Sequence, residues 1–442
     1  MEKEIFLQLL EKKEYKTVKN MLDVMNSVDI AQLLSELEEK ELALAFRLIA
    51  KDKAADTFAE MENSMQAYLV EIFTEKELRR ILDDLYMDDT VDMLEELPAN
   101  LVNRILKNVS VEKRNLINVL LNYPEDSAGS IMTTEYVKLK KKDTVKEALA
   151  LIKKTGIHKE TIYTCYILEN RKILGIVSAK DLLIMDDEMT MEELMETEVI
   201  SVHTQTDKEE VARLFSKYNF LAIPVLDEGE RMVGIVTVDD AIDVMVDEAT
   251  EDMTKMAAIV PSENGYMETS VFRHAKDRIP WLFILMFSAT ITGIITLRYQ
   301  NLFSEMPLLV SFMPMLMDTG GNCGSQSSTL MIRGIALDQI KFRDIFKVMF
   351  KEFRISIICG FVLGIANALR VFIMHRNILL ALVIGVSLFF TIMIAKLIGC
   401  TLPLLAKQVR LDPALMASPL ITTLVDACSI TIYFLIATKI LF

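Results

Sequence analysis

The segment ALMASPLITTLVDACSITIYFLIATKILF, residues 414–442, indicates the fold class of the carboxyl-terminal part of the chain. It is apolar enough to cross a lipid bilayer, which takes about 20 apolar residues. The sequence from residue 271 onward contains five such stretches, at 280–297, 307–331, 355–374, 378–405 and 414–441. The pattern therefore predicts a five-helix transmembrane domain over residues 271–442.

Charge divides the chain into two unlike parts. The 442 residues carry a formal net charge of −15, yet residues 271–442 hold 16 Lys and Arg against 8 Asp and Glu. The sequence before residue 271 is therefore strongly acidic, which argues against nucleic acid as a partner because binding to phosphates needs a positive surface. With 10 Pro, 15 Gly and 5 Cys, the composition also excludes a collagen-like or disulfide-stapled chain. The cysteines form no CxxC pair, so buried thiols are expected.

Basic residues predict how the spans are oriented. They lie before the first span and in the loops that follow the second and fourth spans, whereas the loop 299–306 has Glu305 as its single formal charge. Lys and Arg concentrate in cytosolic loops. The amino terminus also lacks the basic-then-apolar layout of a secretory signal. We therefore expect a multi-pass protein of the cell (inner) membrane, with cytosolic amino-terminal domains and an external carboxyl terminus.

Asp426 lies near the middle of the last span, where a carboxylate costs about 2.5–3.5 kcal/mol on insertion scales. Thr422 and Thr423 precede it by four and three positions, so their hydroxyls share its helix face. One interpretation is a carboxylate hydrogen-bonded inside the helix bundle. A hydrated cation route suits an acid lined by hydroxyls better, and we expect these three residues to belong to a pore.

The second span, PLLVSFMPMLMDTGGNCGSQSSTLMIRG at 307–334, contains several residues that are unusual in an apolar helix: Asp318, Gly320, Gly321, Asn322, Gly324 and Gln326. Irregular backbone at membrane depth is tolerated where it lines a wet cavity. We therefore expect an interrupted helix whose carbonyl groups face the same cation route as Asp426. Close packing of small residues is the alternative, and it accounts for the glycines but not for the polar side chains.

Residues 30–97 contain a regular repeat, in which Leu34, Phe58 and Leu82 occupy one register at equal spacing. Charged residues fill the gaps, as in amphipathic helices. Stacked repeats bury apolar stripes that one unit could not bury alone. The sequence therefore predicts a helical-repeat domain over residues 1–127.

A second duplication follows, with β-rich patterns over residues 131–250. The segment GIVSAKDL at 175–182 recurs as GIVTVDDA at 234–241, and each copy comes after a turn and before a helix. This arrangement of strand, strand, turn, strand and helix resembles a tandem cystathionine-β-synthase (CBS) pair, expected at 128–237. Such pairs often bind adenosine nucleotides such as ATP, and the matching positions are Lys180, Asp181, Thr237 and Asp240. An acid at the start of a helix is also an ordinary cap.

A continuous helical pattern at 238–260 leads towards the membrane part and is crowded with acids. Asp240 and Asp243, spaced i, i+3, share a face. Two carboxylates about 5 Å apart repel by about 3 kcal/mol at an effective dielectric constant of 20, whereas a divalent cation between them would reverse the sign. Asp88, Asp89 and Asp92 form a second acidic edge in the helical repeats.

The order of these parts, together with TGGNCGSQSS and PLITTLVD, resembles the MgtE family of magnesium channels and transporters over essentially the whole chain. The resemblance implies a homodimer in the lipid bilayer, with a pore at the subunit interface where two copies of Asp426 hold hydrated Mg²⁺. It implies passive Mg²⁺ influx. It also implies that cytosolic Mg²⁺ bridges the helical, CBS and connecting (plug) helices and holds the pore shut.

The family's cytosolic metal ligands fall on residues of all three cytosolic parts. Carried over by resemblance, they are Asp56, Asp88, Asp92, Glu209, Asp240, Asp243, Glu248, Glu251 and Asp252. Asn219 stands where the resemblance leads us to expect an acid.

Two other functions compete with a magnesium channel. A broader divalent-cation channel could pass Co²⁺, Mn²⁺ or Ni²⁺ along the same oxygen-lined route, although soft-metal ligands are scarce near Asp426. A membrane-anchored nucleotide sensor would need neither Asp426 nor the polar second span. An enzyme is not expected, because no P-loop, GxSxG, HExxH or nucleophile–base pattern occurs.

Overall fold

The computed structural model describes residues 2–261, 266–267, 269–300, 306–416 and 418–441. The chain divides into two compact units, Met1–Val246 and Asp247–Phe442. The loop residue Glu305, on which part of the orientation prediction rests, lies outside the described residues.

The first unit begins with short helices that follow the predicted repeat. Their bounds are α1 Glu2–Glu11, α2 Tyr15–Val24, α3 Ser27–Ser35, α4 Glu39–Phe46, α5 Lys51–Ala59, α6 Asn63–Ile72, α7 Glu75–Asp84, α8 Met87–Glu96, α9 Ala99–Asn108 and α10 Val111–Leu120. Alternate helices begin at equally spaced positions, Ser27, Lys51, Glu75 and Ala99. Leu34, Phe58 and Leu82 are fully buried in one continuous core. The repeat therefore sets both the helix boundaries and the buried register.

Two three-stranded sheets follow. The strands are β1 Val137–Leu139, β2 Thr164–Glu169, β3 Lys172–Ser178, β4 Val202–His203, β5 Ala222–Leu226 and β6 Met232–Thr237. In each sheet the middle strand pairs parallel with the first and antiparallel with the third. The accompanying helices are α11 Val145–Thr155, α12 Ala179–Ile184, α13 Met191–Leu194, α14 Lys208–Tyr218 and α15 Val238–Met256. The predicted duplication of strands and helices is confirmed.

The second unit is helical. Its long helices are α16 Val271–Arg298, α17 Met313–Ala336, α18 Ile345–His375, α19 Ile378–Gln408 and α20 Ser418–Leu441, with a 3₁₀ helix, Pro307–Phe312, before α17. Within the described residues, four segments are long and apolar enough to cross a membrane: Val271–Arg298, Phe342–His375, Ile378–Gln408 and Pro413–Leu441. Helix α17 is not among them, so a fifth crossing at 307–331 stays a prediction.

Helix α17 corrects one expectation. It runs from Met313 to Ala336 without a break, so the predicted interruption at the glycines is wrong. A side chain at Gly324 would place its Cβ atom 2.7 Å from Cγ2 of Ile421 and 3.2 Å from the carbonyl oxygen of Ala395. The glycines instead let α17 lie close against α19 and α20, the packing role that small residues have in membrane helices.

Candidate functional site

An open cavity of about 400 Å³ lies between α17 and α20. Its lining residues are Pro314, Met317, Asp318, Gly321, Asn322, Thr422 and Asp426. Two helices that lie far apart in the chain thus bring together five of the predicted pore residues. The cavity holds two carboxylates, an amide and a hydroxyl, which are all oxygen donors suited to a hard cation.

Four predicted pore residues are not among the cavity's lining. Gly320 and Gly324 are buried inside the helix packing, and Gln326 is exposed on α17 one turn beyond Asn322. The Thr423 hydroxyl donates to the carbonyl oxygen of Pro419 at 2.9 Å, as does that of Thr422. Both hydroxyls are therefore bonded within their own helix rather than to Asp426.

Asp426 has no basic partner in the described part of the chain. The ion pairs of the second unit in this part involve Lys255, Lys341, Lys347 and Lys396, and none of them reaches Asp426. Asp318 lines the same cavity. Because no basic side chain of the described residues forms an ion pair with either acid, the cavity has a negative potential that attracts cations.

A second acidic site lies in the first unit, where α8 approaches the start of α15. Asp88 is only 7% exposed. Burial and the charge of Asp240 raise the pKa of Asp88 well above its usual value. Burial raises the pKa of Asp240 to about 7, although a hydrogen bond from Thr237 opposes the rise. Each carboxylate therefore makes the ionised form of the other less favourable.

Three more carboxylates surround this pair. Burial and the charge of Glu60 raise the pKa of Asp89 to about 6. Partial burial and the charge of Asp240 raise the pKa of Asp92, an exposed residue of α8, to about 7. Burial and the charge of Asp89 raise the pKa of Glu160 to about 8. We call Asp88, Asp89, Asp92, Glu160 and Asp240 the acidic cluster.

Sequence reasoning missed Glu160. It lies in the segment after α11, far along the chain from α8, and no periodic pattern marks it. Its Oε2 atom is buried and has no hydrogen-bond partner among the described residues. An orphaned carboxylate oxygen among other acids fits a cation, although no three of the described His, Cys, Asp and Glu residues converge closely enough to form a complete metal site. Mg²⁺ keeps several waters and is often held by one or two carboxylates, so this spacing is compatible with a hydrated ion.

The structure gives the other predicted cytosolic ligands mixed surroundings. Partial burial and the charge of Asp52 raise the pKa of Asp56, an exposed residue of α5. Asp243 is exposed, and its charge is the second cause, behind burial, of the raised pKa of Glu60. Glu209, in contrast, forms an ion pair with Arg213.

Asn219 ends α14 with a left-handed backbone, φ 56° and ψ 41°. Asn tolerates this conformation better than most residues, which gives a local reason for the amide where an acid was expected.

The second half of α15 belongs to the second unit and carries Glu248, Glu251 and Asp252. Lys255 Nζ lies 2.7 Å from Glu251 Oε1 and 2.7 Å from Asp412 Oδ2. Asp412 also accepts a hydrogen bond from the backbone of Ala414, in the turn that leads into α20. This Lys255 bridge therefore joins the end of α15 to the segment that begins the Asp426 helix.

The predicted nucleotide positions make hydrogen bonds that cap helices. The Thr237 hydroxyl donates to Asp240, and the Ser178 hydroxyl donates to Asp181 at 2.5 Å. Lys180 is exposed. The capping role that we considered for these acids is present in both repeats.

Comparison with known proteins finds three families along the chain. The family described as divalent cation transporter matches residues 313–436. The MgtE intracellular N domain matches residues 25–126. The CBS domain matches twice, at 128–186 and 191–247.

Similar proteins span nearly the full length. The magnesium transporter MgtE of Bacillus subtilis (strain 168) is 34% identical over 97% of this chain and 95% of that protein. The magnesium transporter MgtE of Thermus thermophilus is 33% identical over 98% of this chain and 97% of that protein. A solved cytosolic domain of the Mg²⁺ channel MgtE in complex with ATP is 34% identical, with a TM-score of 0.51, and covers 54% of this chain and 98% of that one. The chain therefore belongs to the MgtE family.

Proposed function

We propose that this membrane protein transports Mg²⁺ passively through the cavity at Asp426. The observation that carries the proposal is an open cavity with two acids, Asp318 and Asp426, and no basic partner for Asp426 among the described residues. Relatives of nearly the same length, named magnesium transporters, support the choice of ion.

The cavity chemistry favours a largely hydrated ion. Mg²⁺ prefers octahedral oxygen coordination and sheds water reluctantly. Among the described residues, only four polar side chains, those of Asp318, Asn322, Thr422 and Asp426, line about 400 Å³, which leaves room for water around a cation. The carboxylates attract the ion, and the retained waters keep its binding weak enough for release.

A homodimer in the bilayer completes this proposal. Asp318, Asn322 and Gln326 are exposed and share one face of α17, because each follows the last by about one helical turn. Such a face is costly against lipid, so it should line water or protein. A second copy placed against it would form a pore with two Asp426 side chains, with the amino-terminal domains cytosolic and the carboxyl terminus outside.

Cytosolic Mg²⁺ would close this pore by binding the acidic cluster. Asp88, Asp92 and Asp240 would hold the ion, with contributions from the neighbouring Asp56 and Asp243. Glu248, Glu251 and Asp252 would extend the response along α15, and Glu209 would take part only after leaving Arg213. Regulation requires that Mg²⁺ bind the closed arrangement more tightly than the open one. When Mg²⁺ is scarce, repulsion within the cluster favours opening.

ATP binding at the CBS pair is a second candidate, because a solved relative carries ATP. Lys180, Asp181, Thr237 and Asp240 are the positions we assign to it. Equilibrium dialysis of the full-length protein with ATP would test this assignment. Retention of ATP that Thr237→Ala abolishes supports it, and no retention rejects it.

Flux into proteoliposomes tests the main proposal. The wild-type protein should admit Mg²⁺ to an internal Mg²⁺-sensitive dye, driven by the concentration gradient alone. Competition with Co²⁺, Mn²⁺ and Ni²⁺ separates a magnesium channel from a broader divalent-cation channel. Vesicles that stay impermeable to all of these ions would favour the membrane-anchored nucleotide sensor instead.

A further inference from the structure

Three polar side chains from three helices meet inside the second unit. Ser327 of α17 donates its hydroxyl hydrogen to Glu352 Oε2 of α18 at 2.7 Å. Lys396 of α19 donates to the Ser327 oxygen at 3.3 Å, and its Nζ lies 3.8 Å from Glu352 Oε2. The exposed fractions of Ser327, Glu352 and Lys396 are 1%, 5% and 6%. We call this group the buried triad.

Burial of both charges constrains the triad strongly. A charged side chain within a membrane helix is costly and normally finds a partner in the bundle interior. Removing one member of a buried pair leaves an uncompensated charge. The Ser327 hydroxyl, which accepts from one charged group and donates to the other, is held from both sides. The triad therefore fixes one point of α17 against α18 and α19.

Ser327 lies on the face of α17 opposite the cavity. Ser327 comes nine positions after Asp318, and at about 100° per residue the two side chains are about 180° apart around the helix. Asp318 and Asn322 line the cavity, whereas Ser327 is buried on the other side. A rotation of α17 that turned its polar face from Asp426 would pull Ser327 out of the triad.

We propose that Glu352 and Lys396 are positioning residues for ion conduction, which through Ser327 fix the rotation of α17 and so the direction of Asp318 and Asn322. This inference rests on the proposed function, because it assigns α17 to the ion route. Neither charged residue touches the ion. Their effect is on how well the cavity recognises Mg²⁺.

Variants of the full-length protein in proteoliposomes test the positioning role. Ser327→Ala removes the bridge and keeps the ion pair. The double variant Glu352→Gln with Lys396→Met removes both charges without leaving one unpaired. Ser356→Ala is the matched control, because Ser356 is a fully buried serine of α18 whose hydroxyl donates to the carbonyl oxygen of Phe353 in its own helix.

We expect Ser327→Ala and the double variant to raise the half-saturating Mg²⁺ concentration, or to shift the ratio of Mg²⁺ to Ca²⁺ flux, at least threefold. The control should change either quantity less than twofold, and Lys396→Arg, which keeps the charge, should be closer to wild type than Lys396→Met. A purely structural role would lower the amount of folded protein without changing affinity or ion ratio.

Wild-type affinity and ion ratio in folded Ser327→Ala would overturn the inference, even if the double variant does not fold. Wild-type protein without any Mg²⁺ flux would instead reject the proposed function itself. The two failures are therefore distinguishable by the wild-type arm alone.

Discussion

Replacing Asp88 by Asn tests whether the acidic cluster is repulsive when no cation is present. Asp88 is 7% exposed, and burial together with the charge of Asp240 raises its pKa well above its usual value. Asn has nearly the shape of a protonated Asp, so the change removes charge without opening a cavity. Near pH 8 the variant should therefore be more stable than wild type.

The magnitude follows from the partner carboxylate. Asp240 has its pKa raised from 3.8 to about 7, and about 3 pH units correspond to about 4 kcal/mol against the charged form. Burial is the largest cause of this shift, and the charges of Asp239 and Asp89 add to it. The charge of Asp240 in turn raises the pKa of Asp88. We expect a gain of about 2 kcal/mol in unfolding free energy, which for a body of this size raises Tm by about 4–8 °C.

Thermal unfolding of a fragment that ends at Val246 measures this gain, because the equivalent part of a relative has been solved by itself as a soluble piece. The comparison is made near pH 8 with Mg²⁺ chelated, and near pH 3, below the ordinary Asp pKa of about 3.9, where Asp88 is protonated in the unfolded chain as well and the substitution should change little. Asp83→Asn, at an exposed position near the end of α7, is the control. Mg²⁺ at millimolar concentration should stabilise wild type more than the variant. A lower Tm for Asp88→Asn near pH 8 without Mg²⁺ would show that the charge of Asp88 does not destabilise the fold.

Three further predictions concern the acidic cluster, the acids of α15 and the Lys255 bridge. The pKa values of Asp89, Asp92, Asp240 and Glu160 are raised to about 6–8. The folded fragment therefore binds more protons than the unfolded chain, and its stability should fall as pH rises from about 4 to about 8. Melting temperatures that stay flat or rise over this range in Mg²⁺-free buffer would contradict the prediction. Neutralising Asp240, Glu248, Glu251 and Asp252 together should leave Mg²⁺ flux active at millimolar cytosolic Mg²⁺, measured by patch recording, and continued closure would place the gate elsewhere. Lys255→Met should raise the cytosolic Mg²⁺ concentration needed for closure about two- to tenfold, because it breaks the bridge from Glu251 to Asp412. Lys341→Met, which breaks an exposed ion pair with Asp338, is the control and should leave this concentration unchanged.

The helical repeat was predictable because its signal is local and repeated. Leu34, Phe58 and Leu82 recur at one constant spacing, and each is fully buried at an equivalent place in the core. The apolar membrane helices and the CBS-like duplication were predictable for a similar reason, since long apolar segments and repeated strand–turn–helix patterns can be recognised in one sequence. The family assignment and the magnesium transport function that it implies are confirmed by full-length relatives.

Helix α17 shows where sequence reasoning failed. Gly320, Gly321 and Gly324 suggested a broken helix, yet their role depends on residues far along the chain. Ala395 and Ile421 lie where a side chain at Gly324 would need to be. Glycine in a polar stretch is compatible with both a break and close packing, so the neighbouring helices decide between them.

The buried charged residues differ in how clearly the sequence indicates them. Lys396 lies within the predicted span 378–405, where a lone Lys already calls for a buried counter-ion, and the sequence could have indicated it. Glu352 lies just before the predicted span 355–374, and only the packing of α18 on α17 shows that it is the partner. Glu160 likewise depends on tertiary packing against α8. Pairings between distant segments are therefore the part of the candidate sites that composition and period do not determine.

Mg²⁺ flux into proteoliposomes that contain Asp426→Asn shows whether the ion passes through the cavity at Asp426. The substitution keeps the shape of the side chain and removes the charge that attracts the ion to the cavity, and Asp338→Asn, in an exposed ion pair of the same unit, serves as the control. We predict that Asp426→Asn inserts normally but loses Mg²⁺ flux at least tenfold while the control keeps it. Wild-type flux through Asp426→Asn would mean that Mg²⁺ crosses the membrane without the Asp426 charge.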